Sequence, residues 1–285
     1  MQRERAGLWY GFLGVASFSL TLPATRVAVQ EIDPLVVTLG RALIAALLAA
    51  VLLLATRQER PGRRLWLRLA VVAGGVVLGF PLLTAVAMRS LPASHGAIVL
   101  GLLPLFTAGA AAFRGGERPS LRFWLASLAG SSVVVGFGVS LGAGGLQWAD
   151  LALLGAVLAA AVGYAEGARL AREIGGWQVI SWALVLAAPV LFVPAVLLAA
   201  RHGLSASAQA WAGFAYVGVV SQFLGFIPWY KGLALGGTAR VSQLQLLQPF
   251  LTILASAALL GEQITLATLL AGLLVVGTVA VGKRG

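Results

Sequence analysis

Leu102-Leu103-Pro104-Leu105-Phe106 is echoed by Leu246-Leu247-Gln248-Pro249-Phe250. The interval from Pro104 to Gly116-Glu117 equals that from Pro249 to Gly261-Glu262, and Leu128-Ala129-Gly130 returns as Leu270-Ala271-Gly272. A pattern shared by the two halves at this spacing marks an internal repeat. Each copy sits within a long apolar run, and the whole chain consists of such runs. Ten apolar segments are expected, at about 6–24, 34–55, 65–87, 94–113, 120–141, 148–168, 177–200, 209–230, 238–260 and 264–282. Their separators are turn or charge punctuation such as Asp33-Pro34, Arg60-Pro61-Gly62, Gly175-Gly176 and Gly236-Gly237.

Composition points the same way. Sixty per cent of the 285 residues are hydrophobic, 10% are charged, and mean hydropathy is +0.95. A soluble domain carries about a quarter charged residues. Ten helices of about 20 residues would cross a bilayer with only short loops to spare. The chain has no cysteine, which excludes disulfides, iron–sulfur clusters and thiolate zinc sites, and its two histidines are too few for most histidine metal sites. Neither a metal nor a cofactor is expected.

The net charge of +11 would suggest nucleic acid in a soluble protein. Here its distribution assigns it to topology. With the N-terminus inside, the inner loops hold Arg3, Arg5, Arg57, Arg60, Arg63, Arg64, Arg68, Arg114, Arg118, Arg122, Arg169, Arg172, Lys231, Arg240, Lys283 and Arg284. The outer loops hold only Arg26, Arg89 and Arg201. The positive-inside rule then gives ten spans with both termini cytoplasmic. The first segment lacks a small-residue cleavage site and is expected to remain as a span.

The predicted fold is therefore all-α and polytopic, with repeats at 1–145 and 146–285. Five spans per repeat is an odd number, so the second repeat enters from the opposite side and the two are inverted. This puts Glu117 at the cytoplasmic face and its counterpart Glu262 at the periplasmic one. Inverted repeats suit alternating access, because the halves can exchange conformations.

The doubled Pro-to-Gly-Glu ending of spans four and nine, the Arg of Leu39-Gly40-Arg41-Ala42-Leu43 in span two, and the ten-span topology together resemble the drug/metabolite transporter superfamily, in particular its EamA-type members. The resemblance covers essentially the whole chain and is nearest to bacterial inner-membrane exporters of aromatic amino acids. It implies a small-molecule carrier with a central cavity built from both repeats, spans five and ten being mainly structural. The superfamily also moves nucleotide sugars, sugar phosphates and drugs, so the resemblance leaves the substrate open.

Prolines interrupt the backbone ladder and provide places to bend. Pro81 pairs with Pro228 in spans three and eight, and Pro104 with Pro249 in spans four and nine, as candidate hinges. Span nine carries a polar stripe of Ser242, Gln245, Pro249, Thr252 and Ser256, flanked by Gln243 and Gln248, which is too costly to expose to lipid. Ser242, Gln245, Gln248 and Thr252 are candidate substrate contacts, with interhelical hydrogen bonding as the competing role. Gln222 in span eight and Tyr164 in span six join them, as do Ser17 and Thr21 in span one and Phe80 and Thr84 in span three. Lone hydroxyls usually bond their own helix, which weakens Ser17, Thr21 and Thr84.

Charged groups within spans are candidates for coupling or gating. Arg41 is expected to snorkel or to meet a carboxylate, Glu166 to pair with Arg169 one turn away, and His95 to lie near the periplasmic start of span four. No carboxylate falls at the bilayer centre. That favours a neutral or zwitterionic substrate, an aromatic or large neutral amino acid, over a cationic drug exchanged for protons, which is the competing reading. Catalytic motifs such as H-E-x-x-H and G-x-S-x-G are missing, so an intramembrane enzyme is disfavoured. No filter motif of a channel is visible. The expected partners are a small-molecule substrate and the lipid bilayer, with no nucleic acid, and ten spans can enclose a cavity as a monomer.

Overall fold

The computed structural model describes residues 2–115, 121, 124–125, 128–130, 132–133, 147–203, 205–237, 241 and 243–282. All the regular structure among them is helical. The first half contributes α1 (Gln2–Ser19), α2 (Thr21–Glu31), α3 (Pro34–Ala55), α4 (Arg63–Val72), α5 (Phe80–Met88), α6 (Ala93–Leu100) and α7 (Leu103–Gly115). The second contributes α8 (Trp148–Ile174), α9 (Gly176–His202), α10 (Ala208–Ala215), α11 (Phe226–Gly236), α12 (Gln248–Leu260) and α13 (Leu266–Gly282). Among the described residues seven helical stretches are long and apolar enough to cross a membrane, and Leu244–Leu260 and Leu266–Thr278 are shorter apolar helices. The fifth expected segment, 120–141, lies largely outside the described residues, as does Glu117.

Exposed residues such as Leu54, Val190, Phe192, Val193 and Leu197 clothe the outside in hydrocarbon, the reverse of what water selects and what acyl chains require. The chain is a multi-pass membrane protein.

Helices of the first half pack on helices of the second: α1 on α11, α2 on α10, α3 on α9, and α5 on α8. Small residues set these distances. A Cβ on Gly7 would meet Gly236 N at 2.5 Å, and one on Gly232 would meet Gly11 N at 2.6 Å, so α1 and α11 touch backbone to backbone. The stripe of small residues in α8, at Gly155, Ala159, Gly163, Gly167 and Ala171, is a packing face. Gly163 abuts Gly75 and Val76, and Gly167 lies under the Tyr230 ring.

Both proline pairs coincide with breaks in helix geometry. Between α4 and α5 the backbone widens into a π-helical turn, Ala73–Gly79, where Phe80 N–H bonds Gly75 O five residues back. Between α10 and α11 a second π turn, Tyr216–Leu224, ends with Gly225 N bonded to Val220 O at 2.7 Å. Pro81 and Pro228 follow these turns, and a missing proline N–H is one cause of such widening. The other pair sits at interruptions. Pro104 lies in the first turn of α7 after the chain breaks at Gly101-Leu102, and Pro249 lies in the first turn of α12 after the 3-10 turn Gln243–Leu247. The two interrupted spans meet there, a Cβ on Gly101 falling 3.4 Å from Pro249 Cγ.

Candidate functional site

The π turns contribute Val76, Ser221 and Gln222 to a central polar cavity. It measures about 10 Å³ and is lined by Phe18, Thr21, Arg41, Val76 and Phe80 from the first half, and by Tyr164, Ser221, Gln222, Phe226 and Gln248 from the second. That volume holds about one water at most. A larger crevice, about 640 Å³, lies between α13 and the Leu125 and Ala129 region. Its walls are aliphatic apart from Thr278, which suits an acyl chain and not a polar solute.

Arg41 projects from the middle of α3 and is 2% exposed. Its Nη2 donates to Ser221 Oγ at 3.0 Å, and that hydroxyl lies 2.8 Å from Thr21 Oγ1. Nε and Nη1 have no hydrogen-bond partner among the described residues. Arg41 therefore neither snorkels nor meets a carboxylate, contrary to expectation. The phase of α3 turns it inward with Thr38, Ala42 and Ala45, all buried. Close approach completes the arrangement, since a Cβ on Gly218 of the second π turn would lie 3.5 Å from Arg41 Cα.

Gln222 is anchored at one end only. Its Nε2 donates to Val76 O at 3.1 Å, while its Oε1 is buried without a partner. Around these polar groups stands an aromatic wall. Phe18 and Phe226 have centroids 4.9 Å apart, Tyr164 lies 6.1 Å from Phe226 and 5.6 Å from Trp229, and Phe18 lies 6.2 Å from Trp229. Such offset and edge-on contacts make a firm apolar surface.

Five of the expected substrate contacts line this cavity: Thr21, Phe80, Tyr164, Gln222 and Gln248. Ser17, Thr84 and Thr252 do not. Ser17 Oγ donates to Leu13 O at 2.9 Å and Thr84 Oγ1 to Phe80 O at 2.8 Å, each one turn back. Thr252 Oγ1 donates to Ser19 O at 2.8 Å and ties α12 to α1. Gln245 is buried outside the cavity lining, with both amide atoms unpartnered among the described residues, and Ser242 falls outside the described residues. Phe18, Val76 and Phe226 were not singled out by sequence. Aromatic and aliphatic residues in an apolar run carry no signal of which side they face.

Other charged groups pair at two ends of the bundle. At one end Glu262 accepts from the backbone N–H groups of Ala93 and Ser94 at 2.9 and 3.0 Å, capping α6. Its Oε1 is 3.7 Å from Arg26 Nε, and Arg26 Nη1 donates to Met88 O and Leu91 O. Beside this clamp His95 Nε2 lies 2.6 Å from Asp150 Oδ1, both residues buried, and Asp150 Oδ2 accepts from Gln147 N at 3.0 Å. Asp150, in the first turn of α8, is thus a partner of His95. At the other end Glu166 accepts from Arg68 Nε at 2.5 Å, and Arg68 also bonds Glu173 at 2.7 Å. The pairing of Glu166 reaches across to α4 rather than only along its own helix.

A membrane-embedded helical bundle with a polar cavity at two widened turns is the build of a solute carrier. The chain belongs to the EamA-like transporter family, whose model matches twice, over residues 5–138 and 147–281. It is 44% identical over 284 residues to the uncharacterized transporter YdeK of Bacillus subtilis (strain 168), covering 100% of this chain and 99% of that protein. A solved crystal structure, 20% identical, superposes with a TM-score of 0.68 over 98% of this chain and 96% of that one, a likeness of fold.

Proposed function

We propose that this transporter exports amino acids with aromatic or large neutral side chains, and related small metabolites, by alternating access at the central cavity. Its ten spans form two inverted five-span repeats in the bacterial inner membrane, with both termini cytoplasmic. The observation that carries the reading is the lining of the cavity, five residues from each half of the chain. A site at the seam is opened to either side by rocking one half on the other.

Other features support it. The family model matches each half separately. The packing of α1 on α11 and of α5 on α8 are contacts that the repeat relation exchanges. The aromatic wall suits an apolar side chain, while Gln222, Ser221, Thr21 and Arg41 suit the polar end of an amino acid.

Counterflow in proteoliposomes tests this directly. Phenylalanine, tryptophan and methionine inside should accelerate entry of labelled phenylalanine, with or without a pH gradient. Exchange of a cationic drug driven by the gradient, without amino acid exchange, would instead identify a proton-coupled multidrug exporter.

A further inference from the structure

Arg41 presents a charge problem that the protein does not solve internally. A guanidinium has five N–H groups. Among the described residues the one on Nε and the two on Nη1 lack partners, and Nη2 donates to a neutral hydroxyl, that of Ser221. An uncompensated buried cation is strongly unfavourable, and a single neutral acceptor does not offset it. The cavity Arg41 faces, about 10 Å³, has space for about one water and has to widen to admit a solute.

The missing partner is an anion, and the surroundings specify which kind. Arg41 is the only cationic residue of the cavity lining. One guanidinium matches one negative charge, so a monovalent carboxylate is met and a phosphate dianion is under-compensated. Across the same cavity Gln222 Oε1 is an acceptor fixed in place by the bond from its own Nε2 to Val76 O. An acceptor so held suits an ammonium. The aromatic wall then receives the remainder of the molecule.

We propose that Arg41 is the residue that binds the substrate carboxylate, so that transport requires a free carboxylate and a zwitterion lies between Arg41 and Gln222. This rests on the amino acid reading above and adds the group that cargo must carry. Arg41 is then a specificity-determining residue, and its charge is balanced by each passing substrate.

The test combines substrate analogues with two variants, Arg41→Gln and Arg41→Lys. In the wild-type protein, phenylalanine and 3-phenylpropionate compete for labelled phenylalanine counterflow, while phenylalaninamide and phenethylamine compete about tenfold or more weakly, as expected for loss of a charge-assisted hydrogen bond. Arg41→Gln abolishes that preference, and Arg41→Lys retains it in part. Thermal unfolding of the purified protein gives a second readout, in which 3-phenylpropionate stabilises the wild type and not Arg41→Gln. Equal competition by the amide overturns the proposal while leaving the amino acid reading intact. Absence of phenylalanine exchange overturns that reading, and the Arg41 assignment then stands or falls on whether the carboxylate stabilises the wild type alone.

Discussion

Gln222 Nε2 donates to the backbone carbonyl of Val76 at 3.1 Å, and this one bond joins the two π-helical turns. Each turn belongs to a different half of the chain and precedes one member of the Pro81 and Pro228 pair. The cavity thus lies where both halves are least regular, and a π turn is a common device for aiming side chains at a functional site.

Removing that tie leaves a buried carbonyl unpaired. Gln222→Met is expected to destabilise the protein by about 1–2 kcal/mol, read as a lower unfolding temperature in detergent. It also raises the half-saturation concentration of phenylalanine counterflow. Unchanged stability would place the carbonyl of Val76 in contact with other donors.

Glu262 ties α6 and Arg26 together at one end of the bundle. Its carboxylate caps α6 through Ala93 and Ser94 and faces Arg26, so Glu262→Gln weakens both contacts. Because the chain has no native cysteine, a Val76→Cys substitution reports cavity access without background. Addition of Glu262→Gln is expected to raise several-fold the rate at which a membrane-impermeant maleimide reaches that cysteine from the side on which Glu262 lies. No change in rate would show that the clamp is not what closes this end.

Pro228 offers a test of bending against packing. Pro228→Ala returns an N–H within reach of Leu224 O, the last residue of the second π turn. Turnover should fall several-fold while the unfolding temperature stays level or rises. Full turnover in a more stable variant would reduce this proline to a packing feature.

Much of the architecture was legible in the sequence because membrane spans are long apolar runs and the two matched proline pairs leave marks in the backbone, although Pro189 and Pro194 lie within an unbroken α9. Pro81, Pro228, Pro104 and Pro249 all fall at breaks in helix geometry. The cavity was half legible. Gln222 and Gln248 stood out because amides are costly in lipid, but Phe18 and Phe226 did not, since an aromatic ring is equally at home facing acyl chains. Ser17 and Thr84 were ambiguous for the opposite reason, their hydroxyls being satisfied within one turn. Arg41 was visible as a charge, yet its direction depended on the phase of α3 and on Gly218 opposite. Asp150 stands at the very start of its apolar run, where the sequence alone gives it no partner. Only tertiary packing brings it within 2.6 Å of His95.

The central claim is that one cavity, shared by both halves, faces the two sides of the membrane in turn. Reaction of the Val76→Cys variant with an impermeant maleimide, applied separately to right-side-out and inside-out vesicles, tests it most directly. The account predicts labelling from both sides, and a lower rate on each when phenylalanine is present. Labelling from one side only, in a variant that still performs phenylalanine counterflow, would contradict it.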